Sequence, residues 1–270
     1  MKSMLLGLLA ETSIHPGSGR DGGFVDLPVA REAATDYPVV VGSSFKGALL
    51  DLARDHPGVS EDARNLVFGV QDNAGQLLVS DLRLVALPVR SLVSHYKWVT
   101  CPHLLERLQR DLRRADSAQT LVAAVDKGTY LGPNDGELFL EERQFSRCGD
   151  LPASLCQCLK AFILHQATAQ RLDRQLVVLH DDDFVWFARY GLSIQARNVL
   201  DAEKKTSKNL WYEETIPPDS LFYGLLAART DEVLITVRSL FQNRPYLQVG
   251  GNASVGQGWF AVQEWKGDTQ

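Results

Sequence analysis

The chain has 270 residues, 45% hydrophobic and 23% charged, with a formal net charge of −5 at pH 7. That is enough apolar material for the core of one large domain, and the negative balance excludes a nucleic-acid binder that works by bulk charge alone. No apolar run approaches the ~18 residues of a membrane span; four cysteines (Cys101, Cys148, Cys156, Cys158) without Cys-x-x-Cys spacing predict free thiols in a cytoplasmic protein.

Residues 3–10 are continuously apolar and predict a buried strand rather than a secretory leader, since Glu11 follows at once. Residues 12–37 are rich in Gly, Pro, Asp and Thr without periodicity, the mark of a long, mobile, functional loop. A short β-branched strand is predicted at 38–42. Ser43 or Ser44 then caps a helix whose apolar positions Phe45, Leu49 and Leu52/Ala53 recur at helical spacing. Alternation predicts a strand over 76–89 ending at Pro88. Residues 102–114 predict an amphipathic helix with Leu104, Leu105, Leu108 and Leu112 inward. A strand at 137–145 precedes a long helix over 152–172 that buries Leu155, Leu159, Phe162 and Ile163. After a strand at 175–180, Asp181, Asp182 and Asp183 suit a helix start better than a metal site. Residues 193–200 and 209–216 predict a hairpin around a charged turn. Tail strands at 232–240 and 258–265 flank a glycine-rich loop, 250–258. Strands and helices mixed in this way predict an α+β fold in a single domain, 1–270.

Several segments carry candidate chemistry. Gly42-Ser43-Ser44-Phe45-Lys46-Gly47 puts free backbone N–H groups and a cation at a helix start, an arrangement suited to phosphate; the plainer alternative is a capped helix with an exposed lysine. Gly250, Gly251, Gly256 and Gly258 either let a phosphate backbone approach the main chain or only supply positive φ. Asp26, a carboxylate in a loop, can hold a divalent metal, orient an attacking hydroxyl, or close an Asx turn. His15 is a second candidate, as an acid or base or as a phosphate contact. Trp211-Tyr212-Glu213-Glu214 sets two aromatics beside two acids, a platform for unstacked bases or ordinary cross-strand packing. Arg83, Arg90, Lys97, Arg107, Arg110, Arg113 and Arg114 against Glu106 and Asp111 make 82–114 a basic stretch on an acidic chain, either an RNA contact or a solvated helix face.

The order of these blocks resembles the RAMP superfamily, and within it the repeated backbone subunits of type III-B (Cmr) CRISPR effector complexes. The resemblance rests on His15-Pro16-Gly17-Ser18-Gly19, Val25-Asp26-Leu27-Pro28 with Arg31-Glu32, residues 38–47, Leu66-Val67-Phe68-Gly69, and Asp81-Leu82-Arg83 leading into 87–91. It continues through Trp98-Val99-Thr100-Cys101-Pro102, Leu210-Trp211-Tyr212-Glu213-Glu214 with Ile216-Pro217, and 250–259; residues 115–175 are less telling. It implies a modified RNA-recognition-motif (ferredoxin-like) palm with insertions and a thumb-like hairpin, placed at 193–217. It further implies copies stacked head to tail along a CRISPR RNA beside other Cmr-type subunits, with single-stranded target RNA paired to the guide. The target would be cut at regular intervals in a reaction needing magnesium or manganese, for antiviral defence. In that picture Asp26 is catalytic, binding metal or assisting a 2′-hydroxyl, with His15 and Glu213 in support. Ser43, Ser44, Lys46, Arg90, Trp211, Tyr212, Gly250, Gly251, Gly256 and Gly258 would contact RNA, with guide and target along a shared basic groove. The alternative is a catalytically silent subunit that only coats the CRISPR RNA.

Overall fold

In the computed structural model, which describes residues 1–19, 23–121, 124–133, 136–201, 203–204 and 206–267, the N-terminal apolar run forms β1 (Lys2–Ala10). Met4, Leu6 and Leu8 enter one hydrophobic core and Leu5 and Leu9 a second on the opposite face. A strand covered on both sides needs apolar residues at successive positions, so its sequence does not alternate. Gly7 interrupts the run because a Cβ there would lie 2.1 Å from the Phe162 carbonyl oxygen.

The chain continues through β2 (Val39–Val40), α1 (Gly42–Arg54), α2 (Glu61–Phe68), β3 (Gly69–Val70), β4 (Asn73–Ala74), β5 (Leu78–Val79) and β6 (Leu82–Arg90). Then come β7 (Tyr96–Thr100), α3 (Pro102–Arg114), β8 (Thr129–Leu131), β9 (Glu137–Leu140), β10 (Arg143–Gly149), α4 (Ala153–Lys160), α5 (Gln166–Gln175), β11 (Leu176–Leu179) and α6 (Asp181–Tyr190). Last are β12 (Ser193–Leu200), β13 (Ser207–Thr215), β14 (Leu221–Ala228), α7 (Asp231–Ser239), β15 (Tyr246–Gln248), a 3₁₀ turn at Ala253–Val255, and β16 (Trp259–Glu264).

Strands β16, β1, β14 and β6 lie side by side, each antiparallel to its neighbour. With α1 between β1 and β6, and α7 between β14 and β16, the path β1-α1-β6-β14-α7-β16 is the β-α-β-β-α-β ferredoxin-like palm. Its second and third strands are separated by residues 91–220, which extend the sheet through β7, β11, β8, β10 and β9. Helices α1, α2 and α7 cover one sheet face through Phe45, Leu49, Val67, Val233 and Val237. The inserted α3, α4 and α5 cover the other through Leu105, Leu108, Leu112, Leu155 and Leu172. An RNA-recognition motif reads bases across an open sheet face; here that face is closed, which leaves edges and loops for a ligand. Among the described residues no helix is long and apolar enough to cross a membrane.

Several sequence expectations are corrected. Residues 232–240 belong to helix α7, with Val233, Leu234 and Val237 buried and Ile235 exposed. The predicted helix over 152–172 is broken into α4 and α5 where Phe162 presses against Gly7. The strand at 137–145 is the β9–β10 hairpin, turning at Glu141 with φ 49°. Pro88 does not end β6, because β6 beyond Ala86 pairs only with β7, an edge-like position that tolerates proline. Strands β12 and β13 pair as a separate two-stranded hairpin from Ser193↔Thr215 to Leu200↔Ser207; Ala202 and Lys205 of its turn lie outside the described residues. So do Arg20, Asp21 and Gly22 of the 12–37 loop. The rest of that loop is tied down by isolated bridges, Ile14↔Ile216, Gly17↔Val29, Leu27↔Glu213 and Arg31↔Pro38.

Candidate functional site

The loop that carries Asp26 is stitched to β13. Leu27 exchanges main-chain hydrogen bonds with Tyr212 (3.1 Å) and Glu214 (3.0 Å), and Asp26 Oδ2 accepts one from the Tyr212 N–H (2.8 Å). Asp26 is exposed, and its Oδ1 has no hydrogen-bond partner among the described residues. It opens onto a pocket of about 350 Å³ shared with Leu27, Asn209, Trp211, Glu213 and Asn252. Alternation along β13 places Trp211 and Glu213 on the face toward this pocket and Tyr212 and Glu214 on the other. The two aromatics therefore do not form one platform. Trp211 lines the pocket with a buried indole N–H that finds no acceptor among the described residues, while Tyr212 sits on the outer hairpin face.

Glu213 is 3% exposed and is approached from three elements. Asn252 of the glycine loop donates its Nδ2–H to Oε1, Arg197 Nε of β12 lies 3.4 Å from Oε2, and His15 Nδ1 lies 3.7 Å from Oε1. His15 Nδ1 is 2.8 Å from the Glu214 carbonyl oxygen, which can only accept, so Nδ1 carries the proton. The ring is buried against Gly17 and Gly251 and does not line the Asp26 pocket. His15 thus stands behind Glu213 rather than beside Asp26. Glu214 faces away, accepting from Arg31 (2.6 Å) and from the Val29 N–H (3.1 Å), which anchors the Asp26 loop from its other side.

A larger groove of about 790 Å³ runs between α1 and the glycine loop, bounded by Ser44, Gly47, Gly250, Gly251, Arg244 and Trp259. Gly250 (φ 90°) passes so close to His15 that a Cβ would lie 2.8 Å from its carbonyl oxygen. Gly256 and Gly258 also have positive φ, and a Cβ on Gly258 would lie 2.5 Å from Val249 O. The start of α1 differs from expectation. Its N-cap is Val41, without a side-chain cap from Ser43 or Ser44, and the Gly42 N–H is taken by the Asp81 carboxylate at 2.6 Å. Ser43 and Lys46 line a shallower depression beside Asp81 rather than the larger groove. Lys46 has no ion-pair partner among the described residues.

Five of the seven cations of the basic stretch are held in ion pairs, although Arg90, Arg110, Arg113 and Arg114 stand exposed at the surface. Arg83 and Arg114 pair with buried Asp111, Arg107 with Glu32, Arg110 with Glu106, and Arg90 with Glu141. Lys97 is 2% exposed and donates to the Arg174 carbonyl. Arg90 lies in a separate depression with Trp186 and Tyr190, apart from the Asp26 pocket. Sequence reasoning passed over Asn252, Arg197 and Arg244. An asparagine inside a glycine-rich loop is a left-handed turn signal, and Asn252 has φ 62°. Arg244, with its guanidinium carbon 5.8 Å from the Trp259 ring centroid, carries no comparable signal.

A ferredoxin-like palm enlarged by insertions, with a loop acid stitched to a hairpin strand, defines the class: the RAMP superfamily profile matches residues 8–261, and the chain belongs to that superfamily. Within it, the chain is 34% identical to the CRISPR system Cmr endoribonuclease Cmr4 of Pyrococcus furiosus, over 97% of its own length and 95% of that protein. The crystal structure of oligomeric Cmr4 from Pyrococcus furiosus matches with a TM-score of 0.78 at 27% identity, covering 98% of each chain. A chain of the type III-B Cmr-beta complex bound to cognate target RNA shares the fold, with a TM-score of 0.80 at 21% identity, over 98% of this chain and 97% of that one.

Proposed function

We propose that the chain is the guide-holding backbone subunit of a type III-B CRISPR effector complex and cuts target RNA paired to the guide, for antiviral defence. The observation that carries this reading is the pocket gathering Asp26, Trp211 and Glu213 beside the glycine loop, in a chain 34% identical to an endoribonuclease. The guide backbone runs in the groove between α1 and Gly250–Gly251, where Ser44 and Arg244 line it, and extends past the start of α1 to the separate depression of Ser43 and Lys46, all as sequence-independent contacts. Base pairing then reads the target. Copies stack head to tail through heterologous contacts, with other Cmr-type subunits at the ends of an open filament. The 1–270 domain projects the hairpin at 193–217 as a thumb, displacing a nucleotide so that its phosphate reaches the in-line geometry a regular helix forbids. This work, and four free thiols, suit the cytoplasm.

Among the described residues no group of three or more His, Cys, Asp or Glu side chains is placed to hold a metal ion. Magnesium is commonly held by one or two carboxylates with water and substrate phosphate completing its shell; Asp26, with Oδ1 unengaged, fits that habit, for magnesium or manganese. Such an ion, when bound, neutralises charge that develops on the phosphate. Asp26 Oδ1 either ligates it or takes the proton of the attacking 2′-hydroxyl, and the Tyr212 N–H fixes the carboxylate in place. In the assembled complex Asp26→Ala is expected to bind target but stop cutting it, and chelation is expected to stop cutting by the wild type. Cutting by Asp26→Ala at the wild-type rate would remove this residue from the reaction. A wild-type complex with no metal-dependent product would mark a silent scaffold.

A further inference from the structure

The glycine loop is the wall between two cavities. Gly250 and Gly251 line the larger groove, and the next residue, Asn252, lines the pocket that holds Asp26. Asn252 is left-handed, φ 62° and ψ 27°, and opens the 3₁₀ turn. Both hydrogens of its side-chain amide are used, one on Glu213 Oε1 and one on Gln257 Oε1 (2.9 Å). Gln257 is itself buried and returns its main-chain N–H to the Asn252 carbonyl (3.2 Å). At the other side of the loop the Gly251 N–H donates to His15 O (3.0 Å), whose ring stands 3.7 Å from the same Glu213 oxygen. A buried carboxylate held by an amide keeps its direction; without the amide Glu213 retains His15 at 3.7 Å and Arg197 at 3.4 Å, neither in hydrogen-bond contact with it among the described residues.

On the basis of the function proposed above, we propose that Asn252 is a positioning residue for cleavage, tying the loop that seats the guide backbone to the Glu213 carboxylate beside Asp26. A backbone lying on Gly250–Gly251 fixes the loop, the loop fixes Asn252, and Asn252 sets the Glu213 oxygens toward the target strand. Glu213 shapes the pocket wall in which the scissile phosphate sits.

A residue needed only for a left-handed turn is replaced by glycine without loss, since glycine adopts positive φ more readily than asparagine. Asn252→Gly therefore separates the turn from the amide. In the complex assembled with guide RNA, Asn252→Gly is expected to hold guide and target as the wild type does while single-turnover cutting falls roughly tenfold, as for loss of a supporting contact. Asn252→Asp, which sets a second carboxylate against Glu213, is expected to fall further. Glu213→Gln combined with Asn252→Gly is expected to be no slower than Glu213→Gln alone, because the two act through one carboxylate. Cutting at the wild-type rate by Asn252→Gly or by Glu213→Gln would overturn the proposal, as would fully additive losses in the double variant. Cutting that does not depend on Asp26 in the wild type would overturn the site reading itself, a result distinct from Asp26-dependent cutting that ignores Asn252.

Discussion

Asp26 hangs from the main-chain N–H of Tyr212 at 2.8 Å, one residue before Glu213 on the same strand. The hydrogen bond uses one carboxylate oxygen as an acceptor and asks nothing of its charge. Asparagine keeps such an oxygen, so Asp26→Asn separates geometry from chemistry. The variant should fold, assemble and bind target like the wild type, while single-turnover cutting drops roughly 100-fold or more, as expected for a lost acid–base or ligand group. Gel analysis of labelled target reads the result, and near-normal cutting would reduce Asp26 to a turn former.

Parts of the fold lay open in the sequence because local pattern and tertiary demand agree there. Helix α3 was legible to the residue, since its leucines at 104, 108 and 112 form one buried stripe. The central palm strand β14, LFYGLLAA, gives no alternation because both of its faces are buried, and nothing local distinguishes it from a buried helix. Helix α7 reads as a strand from its β-branched Val233, Ile235, Thr236 and Val237, yet Asp231 and Glu232 in the first turn and burial at 233, 234 and 237 make it helical. At the site, a loop acid such as Asp26 stands out because it lacks an obvious structural duty. The contacts of Glu213 with His15, Arg197 and Asn252 join residues that are distant in sequence, and only the folded sheet brings them together.

Asp111 is a buried charge of the insertion met by several partners. It is 1% exposed and accepts hydrogen bonds from Arg83, from Arg114 (2.8 Å) and from Tyr223 Oη (2.8 Å), joining α3 to β6 and β14. Burial and the neighbouring carboxylate raise the Tyr223 pKa, which keeps the phenol a donor. Asp111→Ala takes the shared carboxylate away from the half-buried Arg83 guanidinium and the buried Tyr223 hydroxyl, with an expected loss of about 3 kcal/mol in denaturant unfolding. A loss under about 1 kcal/mol, typical of an exposed pair, would mean that water reaches the cluster.

Glu32 and Arg107 give a pH-dependent contribution. Arg107 donates one 2.7 Å hydrogen bond to each Glu32 oxygen. Burial works to raise the Glu32 pKa, but hydrogen bonds from Arg107 and Thr35 and the Arg107 charge outweigh it and leave the value below normal. With the folded pKa depressed, the unfolded chain binds more protons across that interval, and stability rises with pH. The contribution is complete above the ordinary glutamate value of about 4.3 and is lost as pH falls through the lowered folded value. Glu32→Gln should cost about 1–2 kcal/mol at neutral pH, and the gap from wild type should narrow as pH falls below the ordinary glutamate range. A gap that stays constant on acidification would place the stabilisation in packing rather than in the ion pair.

Lys46 has no ion-pair partner among the described residues, in contrast to Arg83, Arg90, Arg107, Arg110 and Arg114 of the basic stretch. An unpaired cation at a helix start is free to meet phosphate without first breaking a contact. If it grips the guide backbone, its loss must weaken binding equally for unrelated sequences, because phosphates carry no sequence. Each phosphate contact to a single strand also contributes about −0.7 to the slope of log K against log salt concentration. Lys46→Ala should therefore flatten that slope by about 0.7 for every single-stranded RNA tried, measured by fluorescence titration across a salt series. Arg110→Ala, which only frees Glu106 on the exposed side of α3, should leave the slope where it was. Equal slopes for wild type and Lys46→Ala would move the guide backbone off the start of α1 and onto the Arg244 side of the larger groove.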